Sequence, residues 1–246
     1  MLWWMRSYVD AWLDWLYPRR CVGCGRFNQW VLCEACALQV PRIVPPACRR
    51  CGAVQVEEGC LHCRGRAYAF DEAVCACAYE PPVRFAITHL KFRRWLRAGD
   101  WLGTLVADAL MHPHRRPLWQ ADCIVPMPLH PRRLAQRGFN QAALIAQVVG
   151  CTLQLPVETR AVRRRFYRHS QVGLDAPARW RNTRDAFEPL PSANLAGKLV
   201  LLIDDVFTTG STFDACARAL KQAGARYVVA VAAAREMVSL PQEDAI

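Results

Sequence analysis

Residues 197–215 read GKLVLLIDDVFTTGSTFDA, and this stretch decides the fold. Its short aliphatic run predicts a buried strand over residues 199–203, and the amphipathic segment 211–223 predicts a helix. A strand that is apolar on both faces and leads into a helix is typical of a parallel sheet covered on both sides. Ligands bind beyond the carboxyl ends of such strands. The adjacent acids Asp204 and Asp205 therefore mark a candidate binding site.

The acid pair and the loop after it together predict a site for a sugar phosphate. Adjacent carboxylates are hard to bury unless donors satisfy them, and two sugar hydroxyls would each donate one hydrogen bond. The segment TTGST adds hydroxyls, a glycine that admits close backbone approach and free amides at a helix start, which favour a phosphate. The predicted phosphate loop consists of Thr208, Thr209, Gly210, Ser211 and Thr212.

Two other interpretations of this stretch stay open. The segment LVLLIDD is also typical of a Walker B strand, whose carboxylate serves a magnesium ion. The G-x-x-x-x-G-K-[ST] motif that should accompany it occurs nowhere in the chain. A purely structural turn is the other alternative, and the ordered run of acids, hydroxyls and glycine argues against it.

From about residue 70 onward, predicted strands and helices alternate. Apolar strands separated by helices indicate an α/β domain with a parallel sheet flanked by helices. A loop carrying Arg132, Arg133 and Arg137 is expected after the second strand. The predicted strands cover residues 70–80, 122–128, 157–162, 199–203 and 227–232, and the predicted helices cover 83–92, 99–111, 140–149 and 211–223.

Four C-x-x-C pairs divide the N-terminal part of the chain from the rest. Paired cysteines of this kind aim two thiolates at one ion, so they predict structural zinc, with an iron–sulfur cluster as the competing interpretation. We assign the first two pairs to one zinc and the last two to another, although a crossed arrangement would use the same residues. The predicted ligands are Cys21, Cys24, Cys33, Cys36, Cys48, Cys51, Cys60 and Cys63.

The other cysteines have no metal-binding spacing. We expect Cys75, Cys77, Cys123, Cys151 and Cys216 to be small buried apolar residues. His62 lies beside Cys63, but four sulfurs are already available, so an exposed histidine is the preferred interpretation.

Composition predicts a folded protein with an anionic partner. The chain has 246 residues, 53% of them hydrophobic, which allows one large domain and a smaller one. Its formal charge of +11 rests on 32 basic residues, of which only Lys91, Lys198 and Lys221 are lysines. Because the planar guanidinium group holds two oxygens at once, this arginine excess favours phosphate.

Residues 1–17 predict an amphipathic helix with Arg6, Asp10 and Asp14 away from its apolar side. These charges interrupt any signal-peptide core, and no segment reaches the roughly 18 apolar residues of a membrane span. We therefore expect a cytoplasmic protein whose first helix packs on its own domain. A helix that contacts a membrane surface or a partner is the alternative.

The segment from Arg160 to Arg184 contains eight arginines interleaved with Phe166, Tyr167 and Trp180. Such a pattern favours single-stranded nucleic acid, because arginines hold the backbone and aromatic rings stack on bases. A solvated basic loop is the alternative.

The chain resembles type I phosphoribosyltransferases in VLLIDDVFTTGST, and it is similar to one branch of them, the ComF family, over nearly its whole length. The similarity includes the double zinc ribbon, the segment VPMPLHPRRLAQRGFNQA and a pattern at Gln171, Arg179, Asn182 and Phe187. It implies a cytoplasmic protein that helps handle incoming single-stranded DNA. Peripheral attachment to the inner membrane is compatible with this role.

The resemblance also implies roles for individual residues. Asp204 and Asp205 match the catalytic acceptors of ribose hydroxyls, and residues 208–212 match the 5′-phosphate loop. Arg132, Arg133 and Arg137 fall where such enzymes hold pyrophosphate with Mg²⁺. A mobile hood is implied over the leaving group or DNA, and it contains Arg163, Arg164, Arg165 and Gln171.

We expect three domains: an N-terminal helix over 1–17, a double zinc ribbon over 18–66 and a phosphoribosyltransferase-like domain over 67–246. Three functions stay open. The first is DNA uptake or utilisation with a phosphoribosyl-pyrophosphate site. The second is an active phosphoribosyltransferase with an unknown acceptor, and the third is a zinc-ribbon adaptor that docks on DNA-transport or helicase proteins.

Overall fold

The computed structural model describes residues 19–54, 60, 62–63, 66–165, 186–191 and 194–237. The helix predicted over 1–17 lies outside these residues. The same holds for Gln171, Arg179, Asn182 and the aromatic residues predicted to stack on bases.

The described chain alternates strands and helices, as the sequence predicts. The strands are β1 (Glu72–Ala78), β2 (Cys123–Pro126), β3 (Val162–Arg164), β4 (Phe187–Pro189), β5 (Leu199–Phe207) and β6 (Tyr227–Arg235). The helices are α1 (Glu34–Ala37), α2 (Val83–Arg93), α3 (Arg97–Leu110), α4 (Pro131–Arg137), α5 (Gln141–Leu153) and α6 (Ser211–Gln222), with a 3₁₀ helix at Pro113–Gln120.

The central sheet has the order β1-β6-β5-β2, and all its neighbouring strands are parallel. Its middle strands are buried on both faces; in β6 every residue from Val228 to Arg235 is buried. The strands β3 and β4 form a separate antiparallel pair. The α/β prediction is therefore confirmed.

Alternate residues of the strands feed two separate cores, one on each face of the sheet. On the first face, Leu201 joins a buried cluster with residues of α2, α3 and α5, and that cluster also contains Cys21 and Cys36. On the second face, Leu202 joins residues of α6 together with Cys48 and Cys51. The two cysteine groups thus pack against opposite faces of one sheet.

Three elements differ from their predicted form. Strand β5 continues to Phe207, through the acid pair that was expected to follow it. The strand predicted over 157–162 is wrong, because only Val157 pairs with the central sheet, at Ile124, whereas Val162 begins β3.

The third difference is α4, which forms where a loop was predicted. Pro131 occupies the first turn, where its missing N–H costs nothing. The side chain of His130 caps the helix by accepting from the Arg132 amide at 3.2 Å, and Gly138 ends it at φ +84°. Local capping therefore overrides the proline and arginine signals of a loop.

Candidate functional site

A cavity of about 860 Å³ opens at the carboxyl edge of the sheet. Strand β5 contributes the acid pair, and the chain leaving β2 contributes an apolar wall. Helices α2 and α4 contribute cations. The lining residues are Lys91, Phe92, Arg94, Met127, Pro128, Leu129, Arg133, Gln136, Arg137, Gln141, Arg164, Asp204, Asp205 and Thr212.

The acid pair is held by contacts that the sequence did not reveal. Asp205 is 4% exposed, and its Oδ2 lies 2.7 Å from Nζ of Lys91. The contact is an ion pair without hydrogen-bond alignment, because Oδ2 has no hydrogen-bond partner among the described residues. Asp204 Oδ1 accepts from the Asp205 amide at 2.8 Å. One carboxylate oxygen at the cavity thus remains short of donors.

Burial and, after it, the adjacent charge of Asp205 raise the pKa of Asp204 to about 7. The ammonium group of Lys91 and the Asp205 amide oppose this rise. Desolvation is the leading cause because the surrounding protein disfavours the charged form of the carboxyl group. The pair is therefore poised to gain from any ligand that donates hydrogen bonds to its ionised form.

Three of the predicted arginines, Arg133, Arg137 and Arg164, lie in the cavity wall. Burial lowers the pKa of Arg137 and of Arg164, and the charge of Arg133 acts in the same direction on both. Arg137 donates to Oε1 of Gln141 at 2.5 Å, which orients its guanidinium group. The arginines repel one another, so the cavity favours an anion that would separate them.

The structure does not bring the other predicted arginines into the cavity. Arg163 and Arg165 both pair with Glu188 on β4, the latter at 3.2 Å. Their neighbour Arg164 instead lies over the ring of Phe187, 5.4 Å from its centroid, and reaches the cavity. Arg132 is exposed on α4, and Gln171 lies outside the described residues.

The predicted phosphate loop connects β5 to α6, and Thr212 lines the cavity. Gly210 has φ +82°, and a Cβ there would come 2.7 Å from the ring of Phe207, so this position requires glycine. Thr209 Oγ1 donates to Oγ of Ser211 at 3.1 Å. The loop leads into a 12-residue helix, whose first amides have no partner within the helix, and only Thr212 of residues 208–212 lines the cavity.

The cysteines form two groups of four, in the pairing assigned from the sequence. The first group joins Cys21, Cys24, Cys33 and Cys36, and the second joins Cys48, Cys51, Cys60 and Cys63; within each, all four sulfurs lie within 4.8 Å of one another. Four thiolates bound tetrahedrally at about 2.3 Å would lie about 3.8 Å apart. The Cys24–Cys33 and Cys48–Cys63 sulfur distances are 3.7 and 3.6 Å, so the donor set fits zinc.

Backbone amides prepare one sulfur of the first group for metal. The Gly23 and Cys33 amides donate to Cys21 Sγ at 3.4 and 3.3 Å. Although burial raises the pKa of Cys21, amide donation outweighs it and lowers the pKa to about 6. A thiolate is the form that binds zinc, so these amide contacts favour Cys21 as a ligand.

We expect about two zinc ions per chain, because each group supplies a closed shell of four sulfurs and such ribbons fold on their ions. Elemental analysis of purified protein checks this count. Iron in an anaerobically purified sample, or no metal at all, would contradict the assignment.

The remaining cysteines and His62 differ in part from expectation. Cys75, Cys77, Cys123 and Cys216 are buried, as predicted, but Cys151 is exposed because it lies on the outer side of α5. His62 is half-buried rather than exposed, and burial lowers its pKa. It belongs to neither sulfur group among the described residues.

Comparison with known proteins places both parts of the chain. Residues 12–64 match the double zinc ribbon domain, and residues 134–245 match the phosphoribosyl transferase domain. Competence protein F of Haemophilus influenzae is 30% identical over 213 residues, which cover 83% of this chain and 92% of that protein. DNA utilization protein YhgH of Escherichia coli (strain K12) is 32% identical over 205 residues, covering 82% and 88%. The chain belongs to the ComF family of competence and DNA-utilisation proteins.

A third ComF relative, Competence protein ComFC of Streptococcus pneumoniae, is 26% identical over 204 residues, which cover 80% of this chain and 84% of that protein. The phosphoribosyl transferase match of this ComF-family chain includes the acid pair but begins after Lys91 and Arg133. The sequence analysis also missed Lys91 as a site residue, because Lys91 lies in an ordinary helix far from any motif. In the described part of the chain, no helix is long and apolar enough to cross a membrane.

Proposed function

We propose that this ComF-family protein acts in the uptake or utilisation of single-stranded DNA and holds a ribose phosphate of the phosphoribosyl-pyrophosphate type in its cavity. One observation carries the ligand part of the proposal. The acid pair, a group of cations and Thr212 at the start of α6 line a single cavity.

The charges in the cavity wall support an anionic ligand. Five of the lining residues are cations and two are carboxylates. Lys91 already pairs with Asp205, which leaves the arginines to repel one another. A phosphate-bearing ligand would neutralise that excess, and guanidinium groups bind two phosphate oxygens at once.

Each part of a phosphoribosyl pyrophosphate has a candidate binding group in the cavity or in the adjoining loop. Asp204 and Asp205 accept from the two ribose hydroxyls, and the amides of the loop at 208–212 hold the 5′-phosphate at the positive end of α6. Arg133, Arg137 and Arg164 lie near the pyrophosphate. Mg²⁺ bound with the ligand supplies further positive charge on the phosphate oxygens.

The charges on strands β3 and β4 favour a surface that binds the DNA backbone beside the cavity. The side chains of Arg163 and Arg165 are 66% and 51% exposed, and they share one carboxylate, Glu188. Two cations on one acid leave positive charge toward solvent. Because Arg164 of the same strand lines the cavity, DNA on this surface would lie next to the ribose-phosphate site.

Fluorescence anisotropy with a labelled single-stranded oligonucleotide tests the DNA part of the proposal. Zinc-loaded protein should bind the single strand more tightly than a duplex of equal length, with affinity falling steeply as salt rises. The titration should be repeated with phosphoribosyl pyrophosphate and Mg²⁺ present. Absence of single-strand binding at low salt would contradict the proposal.

An active phosphoribosyltransferase is the second candidate, and the apolar wall of the cavity favours it. Phe92, Met127 and Leu129 offer a surface for a flat acceptor beside the acid pair. The acceptor nitrogen would bond to ribose C1 and lose its proton to water, while the bond from C1 to the pyrophosphate oxygen breaks and its electron pair leaves on pyrophosphate. Lys91 and the arginines would stabilise that charge. Release of pyrophosphate with a panel of nucleobases tests this, and no release from any of them would argue against turnover.

We expect binding of phosphoribosyl pyrophosphate to tighten as pH rises through about 7, because its hydroxyls donate to the ionised form of Asp204. The protonated fraction gives a factor of 1 + 10^(7 − pH), so affinity should be about fourfold higher at pH 8.5 than at pH 6.5. The raised pKa has the opposite effect on the ligand-free fold: its contribution to stability is complete below pH 3.8 and is lost as pH rises through about 7. Calorimetric titration across this window, corrected for the ligand's own ionisation, measures the effect, and a flat profile would show that Asp204 is already ionised.

A further inference from the structure

The guanidinium group of Arg235 is the most deeply buried cation of the described chain. The residue ends β6 and is 1% exposed. It forms no ion pair within the described residues. Burying an unpaired charge is costly unless hydrogen bonds satisfy it. The hydrogen-bond acceptors of Arg235 therefore indicate its structural role.

Backbone carbonyls of three separate segments accept from Arg235. Nε donates to the carbonyl of Cys51 at 3.0 Å, in the second cysteine group. Nη1 donates to the carbonyls of Phe207 at 3.2 Å and Thr208 at 2.6 Å, where the predicted phosphate loop begins. It also donates to the carbonyl of Glu236. One side chain thus joins a turn of the second cysteine group to the predicted phosphate loop.

Aromatic residues reinforce this connection beneath the loop. The Arg235 Cζ lies 4.8 Å from the ring centroid of Phe207, a cation–π contact. The same ring and that of Tyr68 leave no room for a Cβ at Gly210. Tyr68, which follows the second cysteine group, donates to the Thr209 carbonyl at 3.4 Å. The path of the loop therefore depends on Tyr68, which follows the second group in sequence, and on Arg235, which donates to the Cys51 carbonyl.

The first cysteine group has a different environment. Gly23 within it packs on Pro82 at the start of α2, on the opposite face of the sheet. Gly52, within the second group, packs on Cys75 of β1, so a Cβ there would come 2.6 Å from the Cys75 sulfur. The second group is thus fixed against the same core that holds Phe207.

We propose that Arg235 is a positioning residue through which metal at the second cysteine group sets the shape of the phosphate loop. Cys51 would be fixed as a ligand when the second group holds its metal, and its carbonyl would be fixed with it. Arg235 then keeps the Phe207 and Thr208 carbonyls turned away from the cavity, leaving the loop amides toward the ligand. A loop held in its binding shape needs less ordering on binding, so affinity rises. This rests on the proposed function for its ligand.

The first test varies Arg235 in the zinc-loaded full chain and titrates phosphoribosyl pyrophosphate with Mg²⁺ by calorimetry. Arg235→Met keeps the apolar stem but loses every hydrogen bond, and it should weaken binding at least about tenfold. Arg235→Lys keeps the charge without the fork, so it should recover part of that loss. Melting temperature and zinc content are recorded for each variant to confirm folding.

The second test compares the two cysteine groups and leaves Arg235 unchanged. Cys60 and Cys33 are both half-buried and each begins the second pair of its group. Cys60→Ser should raise the Kd for phosphoribosyl pyrophosphate and expose the amides of residues 207–212 to hydrogen exchange. Cys33→Ser should have an effect on both at least about fivefold smaller, because its group lies on the other face.

A double-mutant cycle separates positioning from general damage. If metal acts on the loop through Arg235, Cys60→Ser should add little to the loss already caused by Arg235→Met. Additive losses, or equal effects of Cys60→Ser and Cys33→Ser, would overturn the inference. Failure of the parent protein to bind the ligand would instead contradict the proposed function. The hydrogen-exchange comparison would still decide the inference, because it needs no ligand.

Discussion

Replacing Asp204 and Asp205 together by asparagine is expected to abolish the rise in melting temperature that phosphoribosyl pyrophosphate with Mg²⁺ produces in the parent protein. A ligand at about 100 times its Kd stabilises the fold by about 2.7 kcal/mol. For a chain of this size that corresponds to a shift of about 5–10 °C. The variant removes both charged acceptors for the ribose hydroxyls, and an amide can turn a donor toward them instead.

A matched control for this variant is available on α3. Asp100→Asn together with Asp108→Asn removes the same two negative charges from exposed positions far from the acid pair in sequence. The control should keep the full ligand shift. A shift retained in the Asp204 and Asp205 variant would show that the sugar is held elsewhere, and a shift lost in the control would indicate a general charge effect.

The triple change of Arg163, Arg164 and Arg165 to alanine is expected to weaken single-stranded DNA binding and flatten its salt dependence. Each lost backbone contact reduces the log–log slope by about 0.7 on single strands, so three contacts correspond to about two units. The preference for particular DNA sequences should stay slight, because backbone charge and base stacking differ little between sequences. Anisotropy titrations at several salt concentrations measure both quantities.

The structure divides this triple into two parts. Arg163 and Arg165 pair with Glu188 outside the cavity, so their joint replacement should weaken DNA binding and leave ligand affinity intact. Arg164 lines the cavity, so its replacement should weaken both. Three exposed arginines elsewhere, Arg50, Arg84 and Arg116, give a control of equal charge. If that control lowers affinity and slope as much as the triple change, the β3 strand is not the DNA site.

Local features of the sequence indicated the parts of the candidate site that are continuous in the chain. The aliphatic strand, the acid pair and the hydroxyl loop are neighbours in sequence, so their order alone brings them together. The cysteine pairs were assigned correctly because a C-x-x-C turn presents both sulfurs to one ion. The strand alternation also indicated the parallel sheet, since strands buried on both faces are apolar throughout.

Contacts between distant elements were not predictable from such patterns. Lys91 reaches Asp205 because β1 pairs with β6, and this strand order carries α2 to the carboxyl edge of β5. No local pattern records that order. A weak signal existed for Arg235, a lone charge at the end of the apolar run YVVAVAAAR. The different positions of Arg164 and of its neighbours Arg163 and Arg165 were predictable from the sequence, because neighbouring side chains of a strand point to opposite faces.

Calorimetric titration of phosphoribosyl pyrophosphate with Mg²⁺ into the zinc-loaded protein, with and without saturating single-stranded oligonucleotide, tests the central claim most directly. We expect one ligand per chain and saturable heat in the absence of DNA, since one cavity is lined by the acid pair, the cations and Thr212. With DNA bound, the stoichiometry should stay at one, because Arg163 and Arg165 lie outside the cavity and only Arg164 is shared between the ligand and the DNA backbone. No measurable binding at millimolar ligand would contradict a ribose-phosphate site in this cavity. So would a stoichiometry that stays at one when Asp204 and Asp205 are both replaced by asparagine.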